Sequence, residues 1–191
     1  MISEKFKNQK IILASNSPRR KELFSCLDLP FEIFTKQIDE NFPEEIPINE
    51  VAEFLAKKKA NSYKLNKNEI YITADTIVIH QNKILNKPKD EAQASEMLHV
   101  ISNSCNTVIT GVCIQSREKQ ISFSESSTVY FSSLEDKEIK FYIDSYNPLD
   151  KAGAYGIQDW IGKIGVKKID GCFYNIMGLP IQKLYQELKK Y

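Results

Sequence analysis

Three stretches of this chain read as long strands, and helices are threaded among them. Residues 69–80 (EIYITADTIVIH) form a nearly unbroken apolar run rich in β-branched side chains. Residues 107–115 and 121–131 alternate like a pair of antiparallel strands around the charged turn Arg117-Glu118-Lys119. Helical spacing covers residues 19–27, 49–65, 90–101, 135–145 and 181–190, while 10–15 (KIILAS) and 31–35 read as shorter strands. Long hairpin-like strands mixed with helices predict an α+β (mixed α/β) fold on a twisted mixed sheet, not a clean doubly wound one. No repeat, low-complexity tract or linker interrupts the 191 residues, a length that suits one or at most two domains with a sizeable core.

Charge and cysteine usage narrow the chemistry. Lys and Arg total 26 against 25 Asp and Glu, a net charge of +1, which argues against bulk electrostatic binding to nucleic acid or an anionic membrane. Only three of the basic residues are arginine, and two of them, Arg19 and Arg20, are adjacent. Guanidinium forks bind phosphate and carboxylate oxygens bidentately, which lysine cannot do. The chain has two histidines and four cysteines, with no C-x-x-C and no H-E-x-x-H, so zinc chemistry loses its support. Cys26, Cys105, Cys113 and Cys172 are expected to be buried free thiols in a reducing compartment. Residues 1–10 are polar and no window reaches about 18 apolar residues, so a cytoplasmic protein is expected.

Four segments carry candidate chemistry. In SNSPRR (15–20), Ser17 suits a helix N-cap and Pro18 the first helical position, where free N–H groups attract an anion. Two cations in that first turn are misplaced by about 0.3–1 kcal/mol each unless a polyanion occupies the spot; taken alone, an ordinary cap with solvated arginines is slightly favoured. Asp75 interrupts the apolar run at its middle, where a carboxylate is costly without a cation, so a general base or metal ligand is favoured over a bulge. Lys59 falls near the centre of the arc of Val51, Ala52, Leu55, Ala56 and Tyr63, although spacing alone favours a snorkelling lysine over a paired one. The segment 150–158 (DKAGAYGIQ) has two glycines three apart, a weak sign of close backbone approach to a ligand, and no G-x-G-x-x-G or Walker loop exists. Lys87 and the acidic loop 39–47, with Asp39 and Glu40, are uninformative by themselves.

Taken in order, LASNSPRR (13–20), LAKKKA (55–60), ADTIV (74–78), ILNKP (84–88), TGV (110–112), PLDKAGAYGIQ (148–158) and NIMGLP (175–180) resemble the Maf family of septum-formation-inhibitor-like nucleoside triphosphate pyrophosphatases. The match is collinear over nearly the whole chain, which implies one such domain over residues 1–191. The resemblance implies an inosine-triphosphatase-like fold, two lobes flanking a deep cleft, homodimers, and divalent-metal-dependent release of pyrophosphate. It aligns Asp75 with the proton acceptor and Arg19, Thr76 and Gln158 with positions linked to substrate choice. Ser17, Arg20, Lys59 and Lys87 match polar residues around the phosphates, with Lys151 beside them, and Glu40 matches a second acid near the metal. Arginine at 19 with glutamine at 158 looks like the dTTP/UTP branch.

The chain departs from the family pattern at Asn103 (usually glycine), Asn106 (usually histidine) and Asp159 (usually glycine), the last followed by Trp160. The first two touch a loop and the third the rim near the base pocket. The expected mechanism is electrostatic: Arg19, Arg20, Lys59 and Lys87 hold the phosphate chain, Asp75 and Glu40 hold an ion such as Mg²⁺, and Asp75 activates water. Gln158 and Thr76 are expected to read a pyrimidine edge. The competing class is a non-catalytic nucleotide-binding regulator of cell division, for which Asp75 would be dispensable.

Overall fold

The computed structural model describes residues 2–191. In chain order the elements are α1 (Ile2–Lys5), β1 (Lys10–Leu13), α2 (Pro18–Ser25), β2 (Phe31–Ile33), α3 (Val51–Asn61), β3 (Glu69–His80), β4 (Lys83–Leu85) and α4 (Glu91–Ile101). After these come β5 (Cys105–Gln115), β6 (Gln120–Phe131), α5 (Asp136–Tyr146), α6 (Trp160–Gly165), β7 (Val166–Asp170), α7 (Phe173–Met177) and α8 (Ile181–Lys190). Single 3₁₀ turns at Pro148–Asp150 and Ala152–Ala154 separate α5 from α6.

The sheet is mixed, as expected. Its seven strands run in the order β2-β1-β3-β5-β6-β7, with β4 added to β3. β1 pairs parallel with β2 and β3, whereas β3 pairs antiparallel with β4 and β6 antiparallel with β7. The apolar run at 69–80 is one continuous strand, so Asp75 lies within it and not at a break. Strand β4 folds back through Gln81 and Asn82, both at positive φ (47° and 59°), the backbone of a tight primed turn.

The chain forms two compact units: residues 1–75, 110–125 and 178–191 in the first, and 76–109 and 126–177 in the second. In the first unit, the buried face of α3 comprises Val51, Ala52, Leu55, Ala56 and Ala60. It lies so close to β5 that a Cβ on Gly111 would collide with the Ala52 backbone. The buried Thr73 hydroxyl donates to the Ala56 carbonyl (2.7 Å), tying β3 to the same helix. In the second unit, α4 buries Ala94, Leu98 and Ile101, and α5 buries Ile139, Tyr142 and Ile143. Asp90 caps α4 by accepting from the Gln93 N–H (2.8 Å), and a Glu135/Glu138 capping box starts α5.

Two expectations need correction. Helix α3 spans Val51–Asn61, shorter than the anticipated 49–65. The Tyr63 ring stacks on Tyr71 at 4.8 Å, and drawing it onto the sheet takes the chain off the helical path. All four cysteines are free, but only Cys113 is buried; Cys172 is half-buried and Cys26 and Cys105 are exposed.

Candidate active site

Strand β1 delivers the chain into the turn before α2, and the local sequence shapes that turn. The Ser17 hydroxyl accepts from the Arg20 N–H (3.4 Å) as the N-cap, with Pro18 opening the helix. The Ser15 hydroxyl, which sequence reasoning passed over, accepts from the Ser17 N–H at 3.2 Å and from Arg20 Nη1 at 3.5 Å. Arg20 is not a solvated arginine. Its Nε donates to the Gly178 carbonyl (2.8 Å) and its Nη1 to the Ala74 carbonyl (2.9 Å), next to Asp75 in the chain. Burial pushes the guanidinium's pKa down, against the opposing pull of Asp75, and it stays charged because an arginine starts so high. Arg19 is half-buried.

The decisive contact in the first unit is at Lys59. Its ammonium lies 2.7 Å from Asp75 Oδ1 and 2.7 Å from Glu40 Oε1. The Lys59 and Asp75 side chains retain only 15% and 12% exposure, so the snorkelling alternative fails: the lysine is a paired, largely buried cation. Lys59 donates to the Asp75 carboxylate, and the Arg20 guanidinium adds a second attractive charge near it. Two carboxylates face one ammonium here, and the Arg20 guanidinium, with Arg19 beside it, adds positive charge that acts on both of them.

The second unit holds Thr76, Lys87, Lys151 and Gln158. Thr76 is half-buried on β3, and Lys87 is exposed. Lys151 and Gln158 meet at Asp159. Lys151 Nζ is 2.7 Å from Asp150 Oδ1 and 3.8 Å from Asp159 Oδ2, and Gln158 Nε2 donates to Asp159 Oδ1 at 3.0 Å. The Tyr142 hydroxyl donates to Asp159 Oδ2 (2.8 Å) and accepts from the Gly156 N–H (3.0 Å). Burial first, and the bond to Asp159 second, push the Tyr142 phenol pKa up, so it stays a donor. A Cβ on Gly156 would come within 2.7 Å of Asp159 Cγ and 2.9 Å of Gln158 Nε2, so a side chain at this position would press on both residues. Gln158 Oε1 is buried and accepts no hydrogen bond, a state worth about 1–3 kcal/mol of desolvation.

Neither Tyr142 nor Asp150 was singled out by sequence reasoning. Tyr142 sits 17 residues from Asp159 on an amphipathic helix, where it reads as an ordinary core aromatic.

The Maf-like protein family model matches residues 10–191. The chain belongs to the Maf family. A dTTP/UTP pyrophosphatase of Parabacteroides distasonis is 50% identical over 191 residues, covering 98% of this chain and 99% of that protein. Another from Bacteroides thetaiotaomicron is 51% identical over 184 residues, covering 95% of each. A HAM1 protein from Coxiella burnetii shares the fold, with a TM-score of 0.52 at 13% identity over 96% of this chain and all of that one.

Membership of the Maf family implies a divalent metal ion. Among the described residues no group of three or more His, Cys, Asp or Glu side chains could hold one. The Glu40 and Asp75 pair nonetheless fits such an ion. Both present hard carboxylate oxygens that already converge on one cationic nitrogen. Ions of the Mg²⁺ type are commonly held by one or two carboxylates, with water and phosphate oxygens completing the shell. None of the helices among the described residues is long and apolar enough to cross a membrane.

Proposed function

We propose that this Maf protein hydrolyses nucleoside triphosphates, dTTP and UTP foremost, to the monophosphate and pyrophosphate. The observation that carries the reading is the convergence of Asp75 and Glu40 on Lys59 at 2.7 Å each. Relatives about half identical over nearly their whole length are named for this activity, which supports it further.

The chemistry follows from the charges. A triphosphate resists attack because its oxygens repel a nucleophile, so catalysis is positioning plus electrostatic stabilisation. Asp75 takes a proton from the water that attacks the α-phosphorus. The bond from that phosphorus to the bridging oxygen breaks, and pyrophosphate leaves with the electron pair. Lys59 holds Asp75 in place and, with Arg20, offsets the charge that builds on the leaving group, and Lys87 and Lys151 are cations suited to phosphate oxygens. Ser17 holds the start of α2 open to phosphate oxygens by capping it. Arg19, Thr76 and Gln158 discriminate among nucleotides. Glu40 and Asp75 would hold Mg²⁺, which supplies charge neutralisation at the phosphates.

In this reading residues 1–191 act as one catalytic domain, assembled as a homodimer in the cytoplasm. It works on free nucleotides as housecleaning, not on nucleic acid or membranes. Pyrophosphate release from a panel of nucleoside triphosphates with Mg²⁺ tests it. Release from dTTP and UTP that is lost in Asp75→Asn is the expected result. Tight binding without turnover would replace this reading with that of a nucleotide-binding regulator.

A further inference from the structure

The structure gives the Asp159 side chain much to do. It touches Gln158, Tyr142 and Lys151 at once. A carboxylate facing an N–H donor can only accept. The Gln158 amide therefore has one orientation compatible with this neighbour, with the NH₂ turned to Asp159 and Oε1 turned away. The carboxylate cannot swing aside, because the Tyr142 hydroxyl donates to its other oxygen and Lys151 lies 3.8 Å from that same atom. Oε1, so oriented, is a buried acceptor with no donor.

We propose that Asp159 is a positioning residue that locks Gln158 as a hydrogen-bond acceptor, and thereby selects imide bases (uracil and thymine) over cytosine. This rests on the reading that Gln158 faces the base. Uracil and thymine carry a hydrogen on N3, whereas cytosine has a lone pair there. The locked Oε1 takes the N3–H of an imide and is repelled by the N3 lone pair of cytosine. The second Nε2 hydrogen is left for O4 of an imide, but cytosine presents an amino group at that place. An amide free to turn over would serve either base by exchanging its two ends. Discrimination by a pair of such contacts rests on the amide being fixed.

The test compares kcat/KM for UTP and CTP in the full-length protein and in Asp159→Asn and Asp159→Gly. Asparagine can donate or accept, and glycine offers nothing, so both unlock the amide. The expected result is a fall of roughly tenfold or more in the UTP-to-CTP ratio, appearing in KM more than in kcat. A merely structural role would slow both nucleotides in parallel, and an unchanged ratio in both variants overturns the proposal. A measurement on the unaltered protein guards against variants that fail to fold. The 3-methyl derivative of UTP lacks the N3 hydrogen and should be used roughly tenfold less well than UTP; equal use overturns the proposal. Gln158→Met separates this inference from its foundation. If that variant keeps the ratio, the base-reading role of Gln158 falls and this inference with it. If it abolishes the ratio while the Asp159 variants preserve it, only the lock is wrong. Should the protein turn over no nucleotide, the same ratios are read from binding by calorimetry.

Discussion

Each of the two units contains a lysine held by two carboxylates, and the two clusters have opposite characters. Lys59 lies between Glu40 and Asp75, and Lys151 lies beside Asp150 and Asp159. Both ammonium-bearing side chains are mostly buried, at 15% and 12% exposure. What separates them is how far the inner carboxylate is satisfied. Lys59 donates to Asp75 Oδ1, whereas Asp159 receives Gln158 and Tyr142 and has Lys151 near. A carboxylate with spare acceptor capacity can take a proton or an ion. One that is bonded through both of its oxygens holds its neighbours still. The same charge motif thus yields a reactive group in one unit and a fixture in the other.

The comparison can be broken most severely at Asp75. Asp75→Asn should lower pyrophosphate release by about 10²–10⁴-fold with little change in the circular dichroism spectrum. Asp159→Asn should leave turnover of UTP within about tenfold, since it removes a fixture and no proton acceptor. Comparable losses in the two variants would erase the distinction.

The lysines come next. Lys59→Met leaves two carboxylates facing each other, and should cost about 2–4 kcal/mol in denaturant unfolding besides most of the turnover. Lys151→Met removes a cation from a carboxylate that keeps two other partners, so a loss of about 1–2 kcal/mol is expected, with the KM for nucleotide rising more than kcat falls.

Two glycines give a smaller, sharper contrast. Gly111→Ala pushes the Cβ into the Ala52 backbone, so α3 must shift and stability should fall by about 1–3 kcal/mol. Gly156→Ala meets side-chain atoms of Asp159 and Gln158 and not backbone, so it disturbs that network and leaves the helix packing alone. Its unfolding midpoint should move less, while its choice between nucleotides moves more.

The mildest probe is pH, acting on the second unit through His99. A bond to the Ser95 carbonyl, and then Asp136 at the start of α5, raise the pKa of His99 above its ordinary 6.5. The resulting stabilisation is fully present below about pH 6.5 and is lost as pH rises through the raised folded value. The gap in melting temperature between the unaltered protein and His99→Gln should therefore narrow from acidic to alkaline buffer. A gap that is constant with pH would show that the ring contributes packing alone.

Legibility from sequence followed the range of the interactions. The limits of β3 and α8 were readable because each is a local pattern, a continuous apolar run in one and a strong amphipathic period after Pro180 in the other. The Ser17 cap was equally local. Strands β4 and β7 were missed, since KIL and VKKID are too short and too charged to show a period. At the candidate site, Lys59 was found on its helical wheel, yet its partners Glu40 and Asp75 lie 19 and 16 residues away. Spacing alone preferred the solvated alternative there because nothing local encodes a distant counter-charge.

The thiols offer a chemical use that comes from their placement. Cys113 is fully buried against Ala56 and Ala60 under α3, and burial pushes its pKa up to about 12. A thiol needs both access and ionisation to react, so Cys113 stays silent while the first unit is closed. Cys172, half-buried with its N–H bonded to the Ser127 hydroxyl (2.9 Å), belongs to the second. Alkylation followed by peptide mapping would thus time the opening of each unit separately, with no probe added. The slower clock would run in the unit that carries Asp75.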